Sequence, residues 1–200
     1  MDSQEAWESY YKNTNHNLIY PDENLIRIIE KIYQPSWQKA LDFGCGNGRN
    51  LRYLKTKNIP FLYGLDFSQE IIRKNQERPA GIVYLHYQNH SHLPFPDDDF
   101  DLVICWGVLH YNPKPIREFL LREFRRVLKS DGYLVGTFRS NRDTYFYQSE
   151  VKNAFIEFFE EQQIYEELKD FTDIKLSHVE RTLLGDLQTK IAHYLFVSKK

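Results

Sequence analysis

The sequence predicts an α/β fold, a mostly parallel sheet with helices on both faces and an antiparallel edge at its C-terminal end. Three observations carry this. Short apolar runs alternate with helical patterns of roughly ten to fifteen residues between Tyr20 and Phe138, the signature of a parallel sheet built from crossover units. A glycine-rich turn follows the first apolar run. Two apolar runs joined by Gly185-Asp186 close the chain as a hairpin.

The elements follow in order. "YPDENLIRIIEKIY" starts with Pro21 and Asp22 and spaces Leu25, Ile28, Ile29 and Ile32 as one helical face. "KALDF" is the first strand, and Arg49 to Lys57 is a helix with Leu51 and Leu54 on one side. "FLYGLDF" is the second strand, with Ser68 as N-cap of the helix "QEIIRKNQER". "GIVYLHY" is the third strand, and "FDLVICW", apolar throughout, is a fourth buried on both faces. Pro115 opens the helix "PIREFLLREFRRVLK", "SDG" makes a turn, and "YLVGTF" is the fifth strand. "RSNRDTYFYQSEVKNAFIEFFEEQQ" reads as irregular and then helical, and another helix, "QIYEELKD", follows. "FTDIKLSHVERTLL" and "KIAHYLFVS" form the closing hairpin. One domain is expected: residues 1–34 as a helical cap or lid, 35–138 as the core, 139–200 as a substrate-side insertion and hairpin.

Composition narrows the function. Hydrophobic residues are 42% and charged residues 27%, which is globular rather than disordered. A net charge of −2 with pI near 6.4 gives no bulk attraction for nucleic acid and disfavours it as a partner. The N-terminus is acidic without an apolar run, and no window reaches the length of a membrane span. Cys45 and Cys105 have no metal-ligand spacing and fit a reducing compartment, so a cytoplasmic protein without membrane or metal is expected.

"LDFGCGNGRN" raises the functional question. Gly44, Gly46 and Gly48 alternate after a strand, and Asp42 stands two residues before the first. A dinucleotide loop requires G-x-G-x-x-G, and here the sixth position is Arg49. Asp42 would also repel a pyrophosphate. A P-loop lacks its G-K-[ST]. A plain turn would not need three glycines, each costly in backbone entropy. S-adenosylmethionine resolves the conflict, because it carries no phosphate and brings a sulfonium and an ammonium to the carboxylate. Asp66, at the end of the second strand, can accept from both ribose hydroxyls. Its alternative role, capping the next helix, is already served by Ser68.

Together "LDFGCGNGRN", "YGLDFS", "LPFPDDDFDLVICWGVLHY" and "EFRRVLKSDGYLVGTF" resemble the class I S-adenosylmethionine-dependent methyltransferases, in their small-molecule type, from about Ala40 to Phe138. The resemblance implies a three-layer Rossmann-like sandwich with a seven-stranded sheet in which the last hairpin is the only antiparallel pair. It implies that Gly44, Cys45 and Gly46 line the methionine and ribose, that Asp66 binds the ribose diol, and that Phe67 packs on adenine. Asn89 stands where the family carries an acid facing the adenine amine, and His90 would offer its backbone N–H to that ring. Trp106 would lie beside the sulfonium or the substrate. A lid from the N-terminal segment would bring Tyr11 or Tyr20 onto the cofactor, unless these rings only anchor the cap.

Methyl transfer needs alignment and exclusion of water, and a base only where the acceptor must lose a proton. His110 is the candidate base or substrate contact, with a cap or core role equally open; His86 reads as structural. Asp97, Asp98 and Asp99 read as a solvated turn. "CWGV" stands where [DN]-P-P-[YF] would mark an exocyclic amine or amide acceptor, which disfavours DNA adenine and protein glutamine. Tyr111, Arg139, Arg142, Tyr145 and Tyr147 are the candidate substrate residues, the arginines suiting an acidic acceptor. The leading expectation is a methyltransferase for a small molecule. The alternatives are a protein or RNA methyltransferase and a non-catalytic cofactor-binding module.

Overall fold

The structure, a computed structural model, describes residues 7–9, 12, 18–77, 81–88, 91–145 and 155–200. The strands are β1 (Lys39–Phe43), β2 (Phe61–Asp66), β3 (Val83–His86), β4 (Phe100–Cys105), β5 (Leu128–Arg139), β6 (Thr172–Leu183) and β7 (Asp186–Lys199). They form one sheet in the order β3-β2-β1-β4-β5-β7-β6. All pairs from β3 to β5 are parallel, as the crossover helices require. β7 runs antiparallel to both of its neighbours. The hairpin is therefore one of two antiparallel pairs rather than the only one, because β7 inserts between β5 and β6 instead of pairing with β6 alone.

Between residues 18 and 200 the described α-helices are α1 (Glu23–Ile32), α2 (Arg49–Lys55), α3 (Gln69–Gln76), α4 (Lys114–Val127) and α5 (Glu161–Glu167). Caps act where the sequence put them. The Asp22 carboxylate accepts from the Asn24 N–H at 2.8 Å, and the Ser68 hydroxyl accepts from the Ile71 N–H at 3.3 Å. Strand alternation sorts the core into two layers. Leu41, Phe43, Val103 and Leu134 meet Leu120, Phe124 and Ile164 of α4 and α5. Ala40, Leu102, Ile104 and Val135 meet Leu25, Ile29, Leu51 and Ile71 of α1, α2 and α3.

Two local expectations change. The Ser-Asp-Gly turn is absorbed into β5: pairing steps from Phe100–Leu128 directly to Leu102–Tyr133, so the intervening residues bulge within the strand. The stretch Phe155–Glu160 is not helical. Phe159 bridges to Ser140, is 1% exposed, and packs 4.7 Å from Phe138. Burying that ring against the sheet outweighs the local helical pattern, and α5 starts only after Glu160, which shares a capping box with Gln163. Among the described residues no helix is long and apolar enough to cross a membrane.

The strand order reverses between β1 and β4, and the loops leaving their carboxyl ends face one crevice.

Candidate cofactor and acceptor site

The floor of the crevice is the loop after β1. The Gly44 and Cys45 N–H groups both donate to the Leu65 carbonyl, at 2.8 and 3.0 Å, which pins the loop to β2. Gly44, Gly46 and Gly48 all have positive φ, at 72°, 49° and 77°. A Cβ on Gly44 would lie 2.3 Å from Val108 Cγ2, so this turn excludes any larger residue twice, by φ and by contact.

Two carboxylates support the loop from below. Asp66 is 4% exposed; its Oδ2 accepts from the Gly46 N–H at 2.9 Å and its Oδ1 from the Ser68 N–H at 3.0 Å. Burial raises its pKa to about 6, with the two N–H groups holding it back from rising further. Asp42 is 1% exposed, and neither of its oxygens has a hydrogen-bond partner. Burial raises it to about 7, against opposing pulls from the Asn50 side chain, which lies near it without hydrogen-bond geometry, and from Arg49. The buried Oδ1 atoms of Asn50 and Asn75 also lack partners. The unspent polar atoms around the loop are thus acceptors, two of them on a carboxylate. Such a set fits a ligand that brings donors and positive charge, as the ammonium and sulfonium of S-adenosylmethionine do.

The crevice has a volume of about 660 Å³. Of the residues the sequence put forward, Gly44, Cys45, Gly46, Trp106, His110, Tyr111 and Arg139 line it. Several others do not. Asp42 and Asp66 sit beneath the wall, and Asp66 reaches it only through the Gly46 amide it holds. Phe67 is half-buried off the crevice, and its carbonyl is paired with His86 Nε2 at 2.9 Å, which gives His86 its structural role. The Tyr20 ring is 80% exposed and turned away. The carbonyls of Leu18, Ile19 and Tyr20 accept from Asn47, Arg52 and Arg49, so this segment crosses the loop backbone-inward; Leu18 still borders the crevice, while Tyr20 faces out. Among the described residues, Trp7 is the lid aromatic that reaches the crevice, edge-on to Tyr111 at 5.1 Å. Arg142 and Tyr145 also lie off the wall: Asp143 turns inward to Arg139, which leaves Arg142 exposed. Tyr11, Asn89, His90 and Tyr147 lie outside the described residues. Asp97, Asp98 and Asp99 form ion pairs with Arg126, Lys200 and Lys39 at 2.8, 2.7 and 2.5 Å, as a charged turn would.

The far end of the crevice sets Arg139, which the sequence put forward, among residues that sequence reasoning missed. Thr137, Arg139, Ile191, His193, Leu195, Val179 and Arg181 line the α1-side face of β5, β7 and β6. Strand register explains the grouping, since Arg139 pairs with His193, His193 with Val179, and Ile191 with Arg181. The alternation in "VER" and "IAHYL" is the one signal that pointed to them. His110 is buried, and its pKa is well below the usual imidazole range, first by burial and then by His193 and Arg139. Burial and Arg139 likewise lower His193 to about 4. Both rings are neutral at physiological pH.

The family described as "Methyltransferase domain" matches residues 41–136, the span from the middle of β1 to near the end of β5. The chain belongs to the class I S-adenosylmethionine-dependent methyltransferases. Within that family it is 35% identical over 112 residues to demethylmenaquinone methyltransferase of Thermotoga maritima, covering 54% of this chain and 47% of that one. It is 30% identical over 113 residues to a mitochondrial arginine-hydroxylase of Rattus norvegicus, covering 55% of this chain and 32% of that one. The matched stretches span between about a third and about half the length of the curated relatives. The solved structure of a methyltransferase from Archaeoglobus fulgidus shares the fold, with a TM-score of 0.72 at 16% identity over 97% of this chain and 98% of that one.

Proposed function

We propose that this chain is an active methyltransferase that moves the methyl group of S-adenosylmethionine to a small-molecule acceptor. The observation that carries the reading is the set of unpartnered acceptor oxygens, led by Asp42, beneath a glycine loop that opens into one shared crevice. S-adenosylmethionine supplies a methyl carbon already activated by its sulfonium. The protein's task is then to hold, align and dry the reactants. Gly44, Cys45 and Gly46 give the cofactor bare backbone to lie against. Asp42 acts on its positive charge from beneath the loop, and Asp66, which holds the Gly46 amide, keeps lone pairs for the ribose hydroxyls that the family resemblance assigns to it. Asn89, His90 and Phe67 are the adenine contacts that the family resemblance suggests. Trp106, Trp7 and Tyr111 exclude water at the reacting end.

His110 stays neutral and accepts a hydrogen bond from the acceptor. It orients the nucleophile without taking up a lasting proton, because its ring is too weakly basic. A small acceptor is supported by the volume of about 660 Å³ that cofactor and acceptor must share. The names of two relatives, demethylmenaquinone methyltransferase and 27-O-demethylrifamycin SV methyltransferase, point to small acceptors for those proteins.

The test measures S-adenosylhomocysteine released in the presence of S-adenosylmethionine and a metabolite library, with a protein extract as a second arm. Product in the metabolite arm, lost in Asp66→Ala with cofactor affinity down by at least about fivefold, is the expected result. Turnover in the extract arm alone would overturn the small-molecule reading. Cofactor binding without turnover in either arm would make the chain a binding module.

A further inference from the structure

We infer that the acceptor is an organic monocarboxylate with an apolar body, anchored through its carboxylate by Arg181 of β6, with Arg139 and His193 of the neighbouring strands completing the subsite. This rests on the methyltransferase reading and specifies what its acceptor end holds.

The charges around that end decide the class. Arg139 and Arg181 both line the crevice wall. Arg139 Nε lies 2.8 Å from Asp143 Oδ2, yet its N–H does not point at that oxygen, so the charges meet without a hydrogen bond. Asp143 Oδ2 also accepts from the Ala192 N–H at 2.8 Å. The nearest contact of Arg139 Nη1 is the neutral His193 Nε2 at 3.4 Å, so its donors remain largely unspent. Arg181 is exposed on β6 and has no ion-pair partner among the described residues.

The acids at the mouth are already engaged. Asp22 caps α1, and Glu23 pairs with Arg27. Asp22 and Asp143 act on His193 against Arg139 and Arg181, and the ring is nonetheless held at about 4. Burial is the larger cause, but the guanidiniums add to it at both histidines. In a protein whose net charge is −2, this end of the crevice is therefore locally positive.

A carboxylate suits it better than a phosphate. Only one guanidinium is uncompensated; the lysine that also lines the crevice, Lys74, is paired with Glu70 at 3.2 Å, and the α1 N-terminus at the mouth already carries the Asp22 and Glu23 carboxylates. The remaining wall, Val179, Ile191, Leu195 and Trp106, is apolar and asks for a hydrocarbon body.

The test uses the full chain saturated with S-adenosylhomocysteine and fluorine NMR of three probes of one shape: para-fluorobenzoate, para-fluorobenzamide and para-fluorobenzylamine. We expect the benzoate to bind at least about tenfold more tightly than the amide or the amine, and less tightly as salt rises. Arg181→Gln removes that preference and Arg181→Lys restores part of it, while affinity for S-adenosylhomocysteine stays the same in both. Equal binding of benzoate and benzamide, or a preference that survives Arg181→Gln, overturns the inference while the cofactor still binds. Displacement of the benzoate by inorganic phosphate at comparable concentration overturns the carboxylate assignment. Failure of the parent protein to bind S-adenosylhomocysteine overturns the methyltransferase reading and this inference with it.

Discussion

Replacing Asp42 with Asn should make the ligand-free protein more stable at neutral pH and its cofactor binding weaker. Asp42 is 1% exposed, and both of its oxygens lack partners. Its pKa rises from an ordinary 3.8 to about 7 on folding. A carboxyl raised in the folded state binds its proton more tightly there than in the unfolded chain. Its contribution is therefore fully present below about pH 4 and is lost as pH rises to about 7. The difference is worth about 4 kcal/mol at about 1.4 kcal/mol per pH unit, a ceiling that water penetration would reduce. The assay is urea unfolding of Asp42→Asn and its parent at about pH 5 and about pH 8, without cofactor. Comparing the two proteins cancels the titrating groups that do not interact with Asp42; Asp66, which does, contributes to the difference. The stability of Asp42→Asn relative to the parent should grow between these pH values by at least roughly 1 kcal/mol. Parallel pH dependences, or a variant less stable at the higher pH, would refute the claim that an ionised Asp42 is held without partners. Calorimetry on the same pair should show weaker S-adenosylmethionine binding in the variant, since the amide cannot meet its positive charge.

Three further outcomes follow from the geometry. In the parent, S-adenosylmethionine affinity should fall as pH drops through about 7 and then about 6, as Asp42 and Asp66 take up protons and lose their charge; Asp42→Asn should lose the upper step, and a flat titration would contradict the assignment. Gly44→Ala should cost at least about 2 kcal/mol from its positive φ and its clash with Val108; Val108→Ala should recover the clash alone, and thermal unfolding of the single and double variants separates the two parts. Arg117→Leu should cost about 3–5 kcal/mol by thermal or urea unfolding, because Arg117 is fully buried and its loss leaves the part-buried Glu167 without its 2.7 Å partner and Glu157 with an unmatched charge; a loss below about 1 kcal/mol would show that the triad adds little.

The glycine loop was legible because local chemistry decides it: the positive φ of Gly44 and the Ser68 cap act within a few residues of themselves and stand where the sequence implied. Asp66 instead reaches back 20 residues to the Gly46 N–H and lies beneath the crevice wall, a contact that its neighbours in sequence do not encode. The acceptor half was not legible in the same way. Arg181 and His193 join the crevice only because β7 enters the sheet between β5 and β6 in one register, a long-range fact that their neighbours in sequence do not encode. The lid illustrates the same limit. Tyr20 and Trp7 are equally aromatic, but hydrogen bonds from Asn47, Arg49 and Arg52 to the backbone of residues 18–20 turn Tyr20 outward, while Trp7 meets Tyr111. Phe155–Glu160 failed as a helix because one buried ring, Phe159, outweighs a local pattern.

The late entry of β7 into the sheet divides the molecule's labour along the chain. Everything proposed to grip the methyl donor lies between the lid and the end of β4, and much of what would choose the recipient hangs on the closing hairpin, whose outer strand has β7 as its neighbour in the sheet. On that proposal, exchanging side chains along the ribbon should alter the choice of recipient while leaving the donor's cradle untouched.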